Sequence, residues 1–359
     1  MNKVLGILFL PVLVINVVAA VLLVGCAYSP ILPAGQFPLP SLAGLAFPFA
    51  LAVNGAFLLF WLFVYRRYIW FPLITILVCL PQIRAFFPVN FDRQRPPENS
   101  LKVLSYNVLG PNIGPWNANK DNATIAYLEA ADADIICLQE LNFASLKKQK
   151  GLLERYPYKS YNLSEEVPSK AHYLGCLSKY PILSVEQLDL NSAFNGCTKY
   201  RIRHGEDTIV VYNCHLQSNG LNREHKDTYE QLLTNPKEHI RSEGTKVLIK
   251  KLRDSAAKRA AQTDVIVADI EEESSPYIIV CGDFNDSPIS YTCYQLRKRL
   301  TDAYVKSGNG PGISYNRNRL YYRIDHIMHS ARFKPYRCTV DRTIKVSDHY
   351  PIYCFLTKE

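Results

Sequence analysis

The chain has 359 residues, 48% of them hydrophobic, and a formal net charge of +9. The charge falls to +5 when the four basic residues that precede Asp92 are set aside, which is too small to indicate a nucleic-acid-binding protein by itself. The length allows one large domain and a further segment, and the uneven spread of the apolar residues indicates where that segment lies.

The N-terminal quarter of the chain is almost free of charge. Between residues 1 and 80 the only charged side chains are Lys3, Arg66 and Arg67, so this part suits hydrocarbon far better than water. Two apolar runs are long enough to cross a bilayer as helices, and a third, interrupted by two prolines, is a weaker candidate. The three runs cover residues 4–27, 47–65 and 69–83. They predict a membrane anchor over residues 1–88.

Other interpretations of these apolar runs are weaker. Helices buried in a soluble protein seldom continue for so long without a charge. A cleavable signal peptide would account for the first run alone, but further apolar runs follow it. The tetrapeptide "LVGC" also resembles a bacterial lipoprotein cleavage site, which would put a lipid on Cys26. Short motifs of this kind also occur by chance.

The number of spans decides on which side of the membrane the rest of the chain lies. Basic residues favour the cytoplasmic side, so Lys3, Arg66 and Arg67 predict a first loop outside. Three spans would then deliver the rest of the chain to the outer face, whereas two would leave it in the cytoplasm. Basic residues beyond the third run favour two spans, but large domains cross largely regardless of such charges. We therefore expect three spans and an extracytoplasmic C-terminal domain.

The segment that follows the apolar runs is charged, contains prolines and lacks periodicity, which is typical of a linker over residues 89–100. Beyond it, short β-rich runs such as "LKVLSYNV", "DTIVVYNCHL" and "YPIYCFLT" are interrupted by helical stretches near residues 119–131 and 243–271. This order predicts a layered α/β domain over residues 101–359. Two cysteines within apolar runs are predicted to be buried thiols, and disulfides among the others remain open.

Polar side chains of similar chemistry close these β-rich runs. Carboxylates and carboxamides with few sulfur atoms favour a hard cation such as Mg²⁺ or Mn²⁺ over zinc. Histidines beside such carboxylates supply a proton acceptor near neutral pH and a donor to charge that develops on oxygen. The set therefore suits the hydrolysis of a phosphate ester. Its members are Asn107, Glu140, His215, Asp283, Asn285, Asp325, Asp348 and His349.

Six motifs in chain order resemble the endonuclease/exonuclease/phosphatase superfamily, which includes DNase-I-like nucleases, bacterial sphingomyelinases and inositol-polyphosphate 5-phosphatases. The motifs are "SYNVLG", "CLQE", "NCHLQS", "GDFND", "RIDHI" and "SDHYPI". Each motif alone is weak, but the ordered set is highly specific. The resemblance implies a four-layer α/β sandwich with its site at one edge of two packed sheets, preceded here by transmembrane helices. The layout is also similar to that of membrane-anchored bacterial members, which implies a bacterial inner membrane.

The resemblance also implies which residues hold a cation. Glu140 matches the metal-ligand glutamate of the family. Asn107 matches the asparagine that helps to orient that ligand and the phosphate, and Asp348 is expected to be a second carboxylate on the metal side. The implied cofactor is Mg²⁺, or Mn²⁺ in its place.

Five residues match the catalytic groups of the family. Asp283 matches an aspartate that faces the attacking water or the metal, and Asn285 matches an asparagine that faces the phosphate. His349 matches a histidine that works with an aspartate, here Asp325, as an oriented base or as a contact to the phosphate. His215 matches a second histidine, which donates to the phosphate or to the leaving oxygen. The implied reaction is in-line attack by water without a covalent enzyme intermediate.

Two features of the motifs limit these expectations. His326 follows Asp325 directly and would point to the opposite face of a strand, so it is not expected to belong to the site. The chain continues with "VLG" after Asn107, whereas AP endonucleases carry an aspartate two positions after the asparagine. A metal-side carboxylate is therefore impossible at that position.

The expected function is a membrane-anchored, metal-dependent phosphoester hydrolase that acts on a lipid head group, a nucleotide or nucleic acid. The alternative is a catalytically silent scaffold, which usually lacks a ligand or a histidine, whereas none is missing here. Residues 218–262, which follow His215, either cover the site and select substrates or form a solvated helical excursion. Nothing in the sequence indicates a protein partner.

Overall fold

The computed structural model describes residues 9–91, 94–109, 118–141, 146–161, 173–192, 195–317 and 321–359. Residues 1–8, where the first predicted span begins, and Gly110 of the motif "SYNVLG" lie outside these stretches. For residues 118–122 and 161 only the backbone is described.

The N-terminal helices form a small bundle over residues 9–86, which is called the anchor below. They are α1 (Leu10–Tyr28), α2 (Pro38–Ser41), α3 (Phe47–Phe63), α4 (Trp70–Val78) and α5 (Leu80–Phe86), with 3-10 turns at Ser29–Ile31, Leu42–Ala46 and Arg66–Tyr68. Two continuous segments, Leu10–Ile31 and Pro38–Phe63, are long and apolar enough to cross a membrane. The helices α4 and α5 form a third candidate, bent by 58° just before Pro81.

The anchor has polar groups inside and apolar side chains outside. Asn16 Oδ1 accepts a hydrogen bond from Trp61 Nε1 at 2.9 Å, and Asn54 Nδ2 donates to the carbonyl of Ala19 at the same distance. Both asparagines are fully buried, so these bonds join α1 to α3. Outward-facing side chains are apolar, and Val21 is 66% exposed. Such a surface is typical of helices that face lipid.

The described residues beyond the anchor contain two six-stranded sheets. Their strands are β1 (Leu101–Asn107), β2 (Ile135–Gln139), β3 (Tyr158–Tyr161), β4 (Gly175–Ser178), β5 (Ile182–Leu188), β6 (Gly196–His204), β7 (Asp207–His215), β8 (Ile278–Asp283), β9 (Thr301–Asp302), β10 (Asp325–His329), β11 (Phe333–Val340) and β12 (Ile352–Lys358). Sheet A has the order β11-β12-β1-β2-β4-β3, and sheet B has the order β5-β6-β7-β8-β10-β9. Both sheets are mixed, with β1 parallel to β2 and β7 parallel to β8.

The described residues beyond the anchor also contain seven helices. They are α6 (Ala118–Ala131), α7 (Lys150–Arg155), α8 (Arg223–Thr234), α9 (Pro236–His239), α10 (Glu243–Glu272), α11 (Tyr291–Arg297) and α12 (Ala303–Ser307). Of these, α6, α7, α10 and α11 cover the outer faces of the sheets. One apolar core lies between the two sheets, a second joins sheet A to α6 and α7, and a third joins sheet B to α10 and α11. This order of helix, sheet, sheet and helix confirms the predicted four-layer α/β sandwich.

The anchor packs directly against the sandwich. Ile289, in the loop after β8, joins the apolar core of the anchor. A methyl group added to Gly44 would lie 2.0 Å from the carbonyl oxygen of Ile289, so only glycine allows the two backbones to come this close. Arg323 is buried and donates hydrogen bonds to the carbonyls of Ala85 and Phe86 at the end of α5. The anchor therefore contacts the sandwich at two places, through the turn before α3 and through the end of α5.

Sheet B requires a glycine where β7 and β8 run side by side. Gly282 is registered with Cys214 and has a φ of 136°. A methyl group there would lie 1.9 Å from the Cys214 carbonyl oxygen. The next registered pair along these strands is His215 with Asp283. The close approach at Gly282 therefore sets the spacing of two predicted site residues.

We predict that Gly282→Ala destabilises the protein by at least about 3 kcal/mol, because the new methyl group collides with backbone that cannot move aside. Gly151→Ala in α7 is the matched control, since its new methyl group would lie 3.4 Å from the flexible side chain of Glu129. Thermal unfolding of both variants in detergent checks the prediction. Equal melting temperatures for Gly282→Ala and the wild type would contradict it.

Candidate active site

The predicted site residues come from matching edges of the two sheets. In sheet A, the parallel strands β1 and β2 end at Asn107 and just before Glu140. In sheet B, the parallel strands β7 and β8 end at His215 and Asp283, which are registered with each other. Asp325 begins β10 and is registered with Asp283 from its other side. Strand ends of this kind are where sheets present functional groups, and here two such edges meet.

Asn107 joins the two edges. Its Nδ2 donates to Asp283 Oδ2 at 3.0 Å and to Glu140 Oε1 at 3.2 Å, while its Oδ1 accepts from the backbone nitrogen of Leu109 at 3.1 Å. Its backbone carbonyl accepts a hydrogen bond from Ser347 Oγ at 2.8 Å. The side chain is fully buried. Asn107 therefore holds one carboxylate from each sheet at a fixed separation.

His349 lies between two carboxylates of sheet B. Its Nδ1 is 2.8 Å from Asp325 Oδ2, and its Nε2 is 3.6 Å from Asp283 Oδ2. Its backbone nitrogen donates to Ser347 Oγ at 3.1 Å. The same serine hydroxyl is thus bonded to the backbones of His349 and Asn107, which couples the positions of these two side chains.

Burial and neighbouring charge shift the protonation of this group. Burial lowers the pKa of His349, but the negative charges of Asp325 and Asp283 outweigh burial and raise that pKa to about 10. Burial raises the pKa of Asp283, with Asp325 acting in the same direction and His349 and His215 opposing it. At neutral pH the cation-free site therefore contains an imidazolium beside a carboxylate that binds a proton more readily than an ordinary aspartate.

His215 and Asn285 lie beside this network. His215 Nε2 is 3.7 Å from Glu140 Oε1 and 3.8 Å from Asp283 Oδ2, which is beyond hydrogen-bond distance. Asn285 Nδ2 donates to the carbonyl of Leu216 at 3.0 Å, so the asparagine is tied to the loop that follows β7. Both residues line the same cavity as the carboxylates.

Two site residues have an unusual backbone conformation. Glu140 has a φ of 51° and Asn285 a φ of 52°, in the left-handed region that L-residues rarely adopt. Strain of this kind costs about 1 kcal/mol or more per residue and persists only where the surroundings impose it. The conformation turns the chain sharply just after β2 and β8. The side chains of both residues consequently line the cavity at the sheet edges.

The donor set fits a hard divalent cation. Asp283 and Asp325 offer carboxylate oxygens that lie within 4.8 Å of each other and of a ring nitrogen of His349. Two buried carboxylate oxygens, Asp325 Oδ1 and Asp348 Oδ1, accept no hydrogen bond from the described part of the chain. Mg²⁺ and Mn²⁺ prefer oxygen ligands of this type, and a bound cation is one partner that can satisfy such a buried oxygen. Glu140 lines the same cavity and adds a further carboxylate.

A cavity of about 530 Å³ opens over these residues. Glu140, His215, Asp283 and His349 line one end of it. The insertion that follows β7 supplies much of the remaining wall, through side chains of α8 and α10. Of the two interpretations of residues 218–262, the structure therefore supports the one in which the insertion covers the site.

Arg259 was not identified from the sequence, although it lines the cavity. It lies on the buried face of α10 and is 3% exposed. Its Nη1 donates to the carbonyl of Gln217 and to Asn219 Oδ1, both at 2.9 Å, and its Nε is 3.4 Å from Asp286 Oδ2. The one available signal in the sequence was the position of Arg259, next to Ala260, among the apolar residues of the helix predicted near residues 243–271. Arg259 ties α10 to the loops that follow β7 and β8.

His326 lies on the face of β10 opposite to Asp325. It is fully buried and stacks on Phe284, with 5.0 Å between ring centroids. Its Nε2 is 3.2 Å from the carbonyl oxygen of Asp286. Burial lowers the pKa of His326 to about 4, so the ring is neutral at physiological pH. It packs the outer face of sheet B, as the alternation of a strand predicts.

The chain belongs to the endonuclease/exonuclease/phosphatase family, whose model matches residues 104–349. A second family model, described as a domain of unknown function (DUF8431), matches residues 6–86. Members of the first family are phosphoesterases, which agrees with the chemistry expected of the site residues. No match to the chain was found among curated protein sequences.

Solved structures share the fold of the sandwich. A family protein from Bacteroides thetaiotaomicron is 17% identical, with a TM-score of 0.53 and coverage of 74% of this chain and 100% of its own. The mannosyl-6-phosphatase Bt3783 of the same organism is 18% identical, with a TM-score of 0.50 and coverage of 72% and 100%. D. rerio TDP2 complexed with a single-strand DNA product is 18% identical, with a TM-score of 0.50 and coverage of 73% and 100%. These similarities establish the fold and leave the substrate open.

We predict that the stabilising effect of His349 on the protein in EDTA decreases as the pH rises from 6.5 to 10. Because the pKa of His349 is about 10 in the folded protein and about 6.5 unfolded, its stabilising effect is complete below pH 6.5 and is lost as the pH rises towards 10. Asp325→Asn removes a negative charge that raises this pKa, so the variant should lose less stability over that interval. Denaturant unfolding between pH 6 and 10 measures the difference, with exposed Asp254→Asn as control. The same pH dependence in Asp325→Asn and the wild type would refute the assignment.

Proposed function

We propose that this protein is a membrane-anchored, divalent-cation-dependent phosphoester hydrolase. The observation that carries the proposal is the contact of Asn107 with Asp283 and Glu140, beside the pair formed by His349 and Asp325. Carboxylates that hold a cation, next to an imidazolium, suit the charge distribution of a phosphate ester and its transition state. Family membership supports the reaction class. The complete set of polar groups supports an active enzyme over a silent scaffold.

The carboxylates would hold the cation. Glu140 and Asp348 are its proposed ligands, Asp283 adds an oxygen on the side of sheet B, and Asn107 orients Glu140 and Asp283. When bound, Mg²⁺ or Mn²⁺ supplies positive charge opposite the phosphate oxygens. Asn107, Glu140 and Asp283 come from strand ends or the turn that follows, so the sheets hold them in place before a cation arrives, whereas Asp348 lies in the loop between β11 and β12.

Water attacks the phosphorus atom in line with the leaving group. Asp283, at the end of β8 beside His349, accepts one proton from the water as the new oxygen–phosphorus bond forms and the ester bond breaks. His349, whose Nδ1 is 2.8 Å from Asp325 Oδ2, donates a hydrogen bond to a phosphate oxygen. His215 gives a proton to the leaving oxygen. Asn285 is the proposed further contact to the phosphate.

We also propose that the anchor crosses the membrane three times. The loop between α1 and α3 touches the sandwich through Gly44 and Ile289. Because α3 carries the chain away from that loop, α4 and α5 must bring it back before the sandwich can touch the loop. Arg66 and Arg67 lie at the far turn, which argues for a cytoplasmic turn and an extracytoplasmic sandwich. This arrangement suits a bacterial inner membrane.

We predict that the full-length protein in detergent hydrolyses bis-4-nitrophenyl phosphate with Mg²⁺ or Mn²⁺ and loses this activity in EDTA. Glu140→Gln and His349→Ala should each lower kcat/KM by about 10²-fold or more, because each removes a charged group that faces the phosphate or its cation. Glu243→Gln, at an exposed residue, and His239→Ala, at a half-buried residue, are matched controls, because neither residue lines the cavity. Folded, cation-binding protein without turnover would favour the scaffold, and activity retained in both site variants would remove the site assignment.

We predict that an alkaline phosphatase fused after Glu359 is active in a Gram-negative host, whereas a green fluorescent protein fused there is dark. The phosphatase is active only in the oxidising compartment outside the cytoplasm. The green fluorescent protein is fluorescent in the cytoplasm and stays dark when it is exported across the membrane in an unfolded state. Fusions after Arg67 are the internal control and should give the opposite result. Fluorescence from the full-length fusion would contradict three crossings.

A further inference from the structure

The cavity over the site has two chemically different ends. One end is lined by Glu140, His215, Asp283 and His349, which are the polar groups of the proposed chemistry. The other end is lined by aliphatic and aromatic side chains from two separate parts of the chain. These include Leu42, Leu45, Phe49, Leu221, Leu248 and Leu252. A soluble phosphate ester such as a sugar phosphate uses only the polar end, so the apolar end calls for a substrate that has an apolar part.

The anchor itself supplies one apolar wall. Leu45 lies in the 3-10 turn between α2 and α3, and Phe49 lies in the first turn of α3. The turn is fixed to the sandwich by the close approach of Gly44 to Ile289, and Ile289 also lines the cavity. Phe49 is 55% exposed on the outside of the bundle. The apolar end of the cavity therefore begins where one of the two longest apolar helices begins.

The insertion after β7 supplies the opposite wall. Leu248 and Leu252 lie one turn apart on α10 and both face the cavity, and Leu248 is only 2% exposed. Arg259 follows two turns later on the same helix and reaches the polar end, where it contacts Asp286. One helix thus changes from apolar to charged along the length of the cavity.

We infer that this cavity binds a membrane lipid, with its hydrocarbon chain between the anchor and α10 and its phosphoester at Asp283 and His349. The inference rests on the proposed function and names the substrate class of that same site. The chain of such a lipid leaves the bilayer beside α3 without crossing water, because the apolar wall is continuous with the outer surface of the anchor. Attack by water cleaves one ester bond of the lipid and gives two products, one of which keeps the hydrocarbon chain.

Pairs of substrates that differ only in chain length test the inference. The full-length protein in proteoliposomes is given 4-nitrophenyl ethyl phosphate or 4-nitrophenyl hexadecyl phosphate, which share one scissile bond. Ethyl phosphate and hexadecyl phosphate form the corresponding monoester pair. The ratio of kcat/KM for hexadecyl over ethyl should be about tenfold or more, as expected when a long apolar chain fills a matching site. A long chain also partitions into the bilayer, so the ratio must be compared between variants.

Polar substitutions in the two walls separate the cavity from that partitioning. Leu45→Gln in the anchor and Leu252→Gln in α10 should lower the ratio by about fivefold or more, because each puts an amide against the chain. Leu39→Gln in the anchor and Val247→Gln in α10 are matched controls, since both residues are more than half exposed and neither lines the cavity. The controls should keep the wild-type ratio. Misfolding would lower both rates together and would leave the ratio unchanged.

A binding measurement keeps this inference distinct from the proposed function. Hexadecylphosphonate, which cannot be hydrolysed, should bind wild-type protein in nanodiscs more tightly than it binds Leu45→Gln, while Leu39→Gln matches the wild type. Hydrolysis with one ratio in all variants, and no difference in binding, would overturn the lipid site and leave the hydrolase intact. Wall-dependent binding without hydrolysis of any of the four esters would overturn the hydrolase and leave the lipid site.

Discussion

The hydrogen bonds that Asn107 donates to Asp283 and Glu140 fix the site, because they cross from one sheet to the other at the edge where both carry their polar groups. A buried amide network lies directly beneath them. Gln139 Nε2 donates to Asn213 Oδ1 at 2.6 Å, and Asn213 Nδ2 donates to a carbonyl of sheet A at 3.1 Å. Both amides are fully buried, so a relative shift of the sheets would leave several polar groups without partners. That penalty keeps the two edges in register.

The same geometry explains how the site tolerates its charges. Asp283 and Asp325 are buried side by side on neighbouring strands, an arrangement that like charges oppose. His349 lies between them and carries a positive charge over the whole physiological range, since its pKa is about 10. The imidazolium compensates part of the negative charge without a cation. Asp325 Oδ1 and Asp348 Oδ1 have no hydrogen-bond partner among the described residues, so these two oxygens still favour a nearby positive charge.

The sequence predicted most of the fold, and it singled out polar residues that the structure brings together at the sheet edges, because both depend on short local patterns. Strand ends carry their polar residues at fixed positions, and α10 was predicted within one residue of its observed end. The burial of single positions along that helix does not follow from its helical pattern, since Val247 is 51% exposed whereas the neighbouring Leu248 is buried. Arg259 and the cavity wall could not be predicted, because they depend on which face of a helix meets the sheet edge. No local pattern reports the contact between Gly44 and Ile289, which are distant in the chain.

The contact between anchor and sandwich depends on a buried charge. Arg323 donates to the carbonyls at the end of α5, where the helix dipole supplies partial negative charge, and to the carbonyl of Pro311 at 2.8 Å. A buried guanidinium without those carbonyls would cost several kcal/mol, so the fold requires α5 to stay docked. The ring of Phe86 in α5 packs on Phe47 at the start of α3, with 6.1 Å between centroids. The docking that satisfies Arg323 therefore also positions Phe49 and the turn before it over the cavity, and the anchor becomes part of the site it carries.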